Sequence, residues 1–142
     1  MKISFKQTKN LDFNKVVDIF FEVGFLKHQN KRDTYKRAIK KAFLNSQFVV
    51  SAWIGNELVG FTRVVTDKSL FATICNLLVK NKYQKKGIGK ELVKRCLDKY
   101  PQLHLFIVAD KKVVGFYQKL GFKIHPYGMY LEKGKKACVI YN

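Results

Sequence analysis

Residues 84–90 read Gln-Lys-Lys-Gly-Ile-Gly-Lys, between a β-rich apolar run that ends near Lys80 and an amphipathic stretch over 87–100. The first amide N–H groups of a helix lack intrahelical partners, and together with the helix dipole they can receive an anion. Gly87 and Gly89 carry no side chain that would hold a phosphate away from those amides. Lys85, Lys86 and Lys90 add positive charge around the same spot. With Ile88 between the glycines, the chemistry available here is the seating of a pyrophosphate. The spacing is not a dinucleotide fingerprint, because Leu92 stands where the third glycine belongs, and no Gly-Lys-Ser/Thr completes a Walker loop. The same residues also fit an ordinary helix start that tolerates glycine, which in a helix interior costs roughly 1 kcal/mol relative to alanine.

A second segment, Phe-Tyr-Gln-Lys-Leu-Gly-Phe at 116–122, joins an aromatic pair to a Gly-Phe helix stop. Tyr117 shares a helical stripe with Val113 and Leu120, which by itself reads as packing with the hydroxyl turned outward. Metal chemistry has little support. His28, His104 and His125 are dispersed, and Cys75, Cys96 and Cys138 contain no Cys-x-x-Cys pair. Zinc and disulfide frameworks are therefore not expected, and each cysteine reads as a small buried hydrophobe.

The elements that must position these segments follow from periodicity. Residues 2–8 alternate Ile3, Phe5 and Gln7 with polar neighbours, as an edge strand would. Phe13, Val16, Val17, Phe20, Phe21 and Phe25 recur at helical spacing from Asp12, with Gly24 near the end. A second, very basic helix is expected over 31–45, with Tyr35, Ala38, Ile39, Ala42 and Phe43 on its apolar face. The period then shortens: two β-rich runs flank Gly55-Asn56 as a hairpin, and a third spans 70–80. The helix over 87–100 presents Ile88, Leu92, Val93, Cys96, Leu97 and Tyr100 on one side, and Pro101 follows it. Unbroken apolarity over 103–109 predicts a strand buried on both faces. A short helix over 111–120 closes at Gly121, and "FKIHP", "GMYLE" and "ACVIY" read as further strands. The order is β-α-α-β-β-β-α-β-α-β-β, an α+β or mixed α/β domain. Its unit from 70 to 109 predicts a parallel strand pair joined by a right-handed crossover.

The chain has 142 residues, the size of one domain spanning 1–142, and 47% are hydrophobic, enough for a real core. No apolar run reaches the roughly 18 residues of a membrane span, and "MKISFKQTKN" lacks the apolar centre of a signal peptide. A soluble cytoplasmic protein is expected. The formal charge of +18 (28 Lys+Arg against 10 Asp+Glu) favours anionic partners. Nucleic acid, a membrane surface and a phosphorylated cofactor would each qualify, and so would lysines spread over a solvated surface.

Taken together, "QKKGIG" followed by "FYQKLGF" resembles the GCN5-related N-acetyltransferases. The resemblance extends to "ELVGFTRVVTD", to "CNLLV" before the loop and to the closing "PYGMYLE". It implies a central mixed sheet with about four flanking helices, in which acetyl-CoA lies in a V between splayed parallel strands, here 72–80 and 103–109. The pantetheine arm would contact Leu77, Leu78 and Val79. A strand bulge would aim an N–H near Leu78 at the thioester carbonyl. The pyrophosphate would rest on amides 85–90, braced by Gln84. Tyr117 matches the general acid, Phe116 would pack near the cofactor arm, and Asp110 stands where the family often has Asn. No metal is implied. A carboxylate base is often found at positions matching Asn76 or Thr73, and neither residue accepts a proton well; Asp67, His104, His125 or a water chain are the alternatives.

The expected reaction is transfer of acetyl to a primary amine of a small molecule or peptide by direct attack in a ternary complex. The charge disfavours a polycation and favours a zwitterion, an acidic peptide terminus or an amine on an anionic metabolite. A homodimer is compatible with the sequence. Two other readings stand beside this one: an acetyl-CoA-binding sensor without turnover, and a nucleic-acid-binding module gripping phosphates through the basic helix 30–41. The latter competes with a simple solvated helix face.

Overall fold

A computed structural model describes residues 1–131. The elements are β1 (Ser4–Gln7), α1 (Phe13–Glu22), α2 (Arg32–Leu44), β2 (Phe48–Ile54), β3 (Glu57–Thr66), β4 (Ala72–Val79), α3 (Ile88–Lys99), β5 (Leu105–Ile107) and α4 (Val114–Lys119). The chain forms two compact units, Met1–Ile107 and the segment from Val108 onward.

The first unit is built on a five-stranded sheet in the order β1-β2-β3-β4-β5. Its first three pairings are antiparallel, and β4 pairs with β5 in parallel. This is the mixed sheet expected from the sequence, with β1 at its edge. Gly55, at φ 58°, and Asn56 make the two-residue turn between β2 and β3, and Ile54 pairs with Glu57 across it.

Helices cover both faces. The Asp12 carboxylate accepts from the Asn14 N–H at 2.9 Å and caps α1, which buries Phe13, Val16, Val17, Ile19 and Phe20. Tyr35, Ile39 and Phe43 are the buried residues of α2. Phe61 of β3 meets Phe20 and Phe43 at ring separations of 5.7 and 5.4 Å, so α1 and α2 share its face. Phe48 pairs with Val64 and so lies on the other face. There it meets Tyr100 at the end of α3, which buries Ile88, Leu92, Val93 and Cys96.

Two expectations are corrected. The strand expected over 103–109 is only Leu105–Ile107, and it is half-exposed, with Phe106 39% accessible. Among the described residues it pairs with β4 alone. No strand forms over residues 122–131, where "FKIHP" and most of "GMYLE" were expected to make two. Ile124, Tyr127, Met129 and Tyr130 are exposed there, and no described strand pairs with them. "ACVIY", at 137–141, and Cys138 lie outside the described residues.

Candidate active site

The central feature of the first unit is a break in β4. Phe61 pairs with Leu78 and Arg63 with Cys75, so the single residue Thr62 opposes both Asn76 and Leu77. This is a β-bulge, and Asn76 takes the left-handed conformation, φ 52°, that asparagine tolerates better than most residues. The buried Thr62 hydroxyl donates to the Cys75 carbonyl at 3.1 Å, supplying a partner beside the break. On its other side β4 pairs with β5 only through Ala72, Thr73 and Ile74. From Cys75 to Val79 no described strand lies along that edge. The backbone of Leu77, Leu78 and Val79 on that side therefore has no strand partner among the described residues.

β3 backs this stretch closely. A Cβ added to Gly60 would stand 2.9 Å from the Leu78 carbonyl oxygen and 3.2 Å from a Val79 methyl. Only glycine permits that approach.

After Val79 the chain turns through Asn81–Tyr83 into α3. Side-chain hydrogen bonds fix the turn. Glu57 accepts from the Lys80 ammonium and from the Tyr83 hydroxyl, both at 3.0 Å. The hydrogen bond from Lys80 is the main reason its carboxyl is held below the ordinary glutamate value. Glu22 accepts from the Asn81 N–H at 2.7 Å. The Gln84 amide donates to the Val79 carbonyl at 2.9 Å, tying the loop back to the end of β4. Lys85 (φ 61°) and Gly87 (φ 85°) then both adopt left-handed backbone. Gly87 caps α3, and no side chain accepts from the helix's first turn. Ile88, 2% exposed, anchors the helix start in the core, while Gly89 and Lys90 complete that turn. The left-handed turns and bare first-turn amides fit a pyrophosphate, with Lys85, Lys86 and Lys90 nearby in sequence.

In the second unit the Asp110 carboxylate accepts from the Lys112 N–H at 2.9 Å and caps the turn Lys111–Val113 that leads into α4. Tyr117, on α4, packs edge-to-face against Phe116 and Phe122 at ring separations of 5.0 and 5.6 Å. The Phe122 N–H donates to the Tyr117 carbonyl, and Gly121 at φ 98° ends the helix.

The candidate bases are differently placed. Asp67 accepts from the N–H groups of Ser69, Leu70 and Phe71, which hold its carboxyl below the ordinary range and reduce its power to take a proton. Thr73 donates to the Phe106 carbonyl, and Asn76 accepts from Arg63. His104 is exposed beside β5. His125 in the second unit accepts from the Tyr127 N–H. Among the described residues no group of three or more His, Cys, Asp or Glu could hold a metal. The residues that sequence reasoning missed are Glu22, Glu57, Gly60 and Arg63. Each acts through a partner distant in sequence, and the only local signal was a charged residue inside the β-rich run at Arg63.

Residues 15–133 match the acetyltransferase (GNAT) domain family, and the chain belongs to it. An uncharacterized N-acetyltransferase, ycf52-like, from Prochlorococcus marinus is 31% identical over 131 residues, covering 87% of this chain and 69% of the relative. A chloroplastic GCN5-related N-acetyltransferase of Arabidopsis thaliana is 38% identical over 76 residues, covering 51% of this chain and 30% of the relative. Among solved structures, a GNAT-family acetyltransferase from Streptococcus pneumoniae superposes with a TM-score of 0.76 at 26% identity, covering 94% of this chain and 99% of that one. No helix among the described residues is long and apolar enough to cross a membrane.

Proposed function

We propose that the protein is an acetyl-CoA-dependent N-acetyltransferase that acetylates a primary amine of a small molecule or peptide by direct attack in a ternary complex. One observation carries the reading: among the described residues β4 has no strand partner on its β5 side beyond Ile74, and the chain then runs through one turn to the start of α3, where Gly87 is the cap and no side chain accepts from the first turn. A strand edge suits an amide-bearing arm, and bare helix amides suit a diphosphate.

When bound, acetyl-CoA supplies an activated acetyl thioester. In this reading Leu77, Leu78 and Val79 hold the pantetheine arm, and the amides of residues 85–90 hold the pyrophosphate, with Gln84 fixing the loop. The bulge at Asn76 breaks the pleat so that an N–H near Leu78 turns toward the thioester oxygen. A fixed donor of this kind is worth about 3 kcal/mol where negative charge develops. Tyr117 donates a proton to the departing sulfur. A phenol is ordinarily near pKa 10, so it stays protonated at neutral pH and is available to donate as charge develops on the departing sulfur. Phe116 and Asp110 contact the cofactor arm. The amine's proton goes to one of the acceptors named above; of these Asp67 is engaged by three amides, which leaves His104, His125 or a water chain as better placed to take it.

A sensor without turnover is the second reading, favoured by the engagement of Asp67 and by an amide, Asn76, at a position where a base would serve. Calorimetry with acetyl-CoA and thiol-release assays over a panel of amines separate the two. Tyr117→Phe is expected to retain acetyl-CoA affinity and to slow turnover by roughly 10²–10⁴. Binding without thiol release from any amine would favour the sensor, and absence of binding would end both readings.

A further inference from the structure

Arg63, a side chain that the reaction above does not use, is the centre of a small polar cluster. Its Nε donates to the Asn76 side-chain oxygen at 2.8 Å, and one terminal nitrogen donates to the Ser46 hydroxyl at 3.1 Å. Ser46, fully buried, donates its hydroxyl hydrogen bond to the Ala42 carbonyl at 2.8 Å, so its oxygen is the acceptor for Arg63. The guanidinium also lies over the Phe43 ring at 5.7 Å. Three parts of the chain therefore hold this side chain: β3 carries it, β4 binds it through Asn76, and the connection from α2 to β2 binds it through Ser46.

The cluster has an unbalanced charge. Arg63 is half-buried, yet among the described residues no carboxylate lies within ion-pair distance of it. A partly desolvated guanidinium without a counter-ion is costly. An aspartate at position 76 would neutralise it, but the chain has asparagine there. Two of the five N–H groups of Arg63 are engaged, which leaves three as donors. Because Arg63 can only donate, the Asn76 atom that meets it is the oxygen, and the Asn76 NH₂ is left to donate as well. The N–H groups left over, three on Arg63 and two on Asn76, are all donors. They lie at the bulge, two residues past Ile74, the last residue of β4 that pairs with β5.

We propose that Arg63 and the side-chain amide of Asn76 seat an anionic group, carboxylate or phosphate, carried by the amine that this enzyme acetylates. The inference rests on the acetyltransferase reading and names the acceptor class of that same site. A planar guanidinium with adjacent free N–H groups matches either oxyanion, and a +18 chain draws anions toward it.

The test uses the full chain and matched acceptors: glycine against glycinamide, lysine against lysinamide, and 2-aminoethyl phosphate against ethanolamine. Binding to protein saturated with acetyl-CoA is followed by calorimetry, and turnover by thiol release. The carboxylate pairs and the phosphate pair distinguish the two kinds of anion. In at least one pair the anionic member should bind and react roughly ten- to a hundredfold better, the scale of charge-assisted hydrogen bonds. Arg63→Gln should collapse that ratio, and Arg63→Lys should restore part of it. Asn76→Asp, which suits the same left-handed backbone, should bring the ratio to one or below by pairing internally with Arg63. Anion preference that survives Arg63→Gln overturns the proposal, as does equal loss of both members of each pair, or the absence of preference in the wild type. Arg63-dependent binding of anions without thiol release would uphold the anion seat and refute the acetyltransferase reading instead.

Discussion

Replacing Gly60 by alanine tests the contact on which the β4 platform depends. Ordinary van der Waals contact begins near 3.4 Å, and the new Cβ would sit 2.9 Å from the Leu78 carbonyl oxygen, a shortfall of about 0.5 Å. That oxygen is backbone and cannot rotate away. Relief requires β4 to move back from β3 at Leu78 and Val79, beside the bulge. Overpacking of this size costs about 1–3 kcal/mol. For a chain of this length that lowers the melting temperature by roughly 2–12 °C. A 1 Å misplacement at a reacting centre costs about a hundredfold, so half of that should lower kcat/KM on the order of tenfold. Circular dichroism melting, acetyl-CoA calorimetry and thiol release measure the three effects. Gly115→Ala is the contrast: nothing lies within 4 Å of its added Cβ, and it sits inside α4. There the same exchange should stabilise by about 0.5–1 kcal/mol. An unchanged melting temperature in Gly60→Ala would refute the close approach of the strands. A lowered one with unaltered affinity and turnover would refute β4 as the cofactor platform.

Three further outcomes are expected. Gly89→Glu puts a carboxylate in the first turn of α3, where it competes with a diphosphate; it should abolish acetyl-CoA binding in calorimetry while leaving the circular dichroism spectrum intact, and undiminished binding would remove the phosphate assignment. Glu57→Gln loosens the turn before α3 by losing the ion pair with Lys80 and should weaken acetyl-CoA severalfold. Because the Glu57 carboxyl is held below its ordinary 4.5, its support of the turn is complete above that pH and is lost as the pH falls through the lowered value; an NMR titration giving 4.5 or higher would contradict the contact. Burial pushes the Cys96 thiol from 9.0 up to about 12, so mass mapping after alkylation at pH 8 should find Cys96 unlabelled in the native protein and labelled after unfolding. The stability this thiol gives is full below pH 9 and declines as the pH rises toward 12. Rapid native labelling would refute its burial.

Much of this protein was legible locally. The helices α1, α2 and α3 declare themselves because one face repeats at 3.6 residues, and those apolar positions are the ones buried: Val16, Val17 and Phe20, then Tyr35, Ile39 and Phe43, then Leu92, Val93 and Cys96. Gly55-Asn56 marks the hairpin because a tight turn needs left-handed backbone, and Gly87 marks the start of α3 for the same kind of reason. Where alternation had no described partner strand to satisfy it, as in residues 122–131, the pattern misled; apolarity over 103–109 likewise could not reveal that β5 is only three residues long and half-exposed.

The sequence by itself determined the helical faces, the turns and the family motifs, since each depends on residues a few positions apart. Tertiary structure alone decided that Asn76 would bulge against Thr62, that Glu22 and Glu57 would hold the turn at 80–83, and that Arg63 would meet Asn76 and Ser46. Those arrangements join segments 13 to 59 residues apart. A charge or a kink at such a distance leaves no trace in local periodicity, because its partner is chosen by strand register and helix packing.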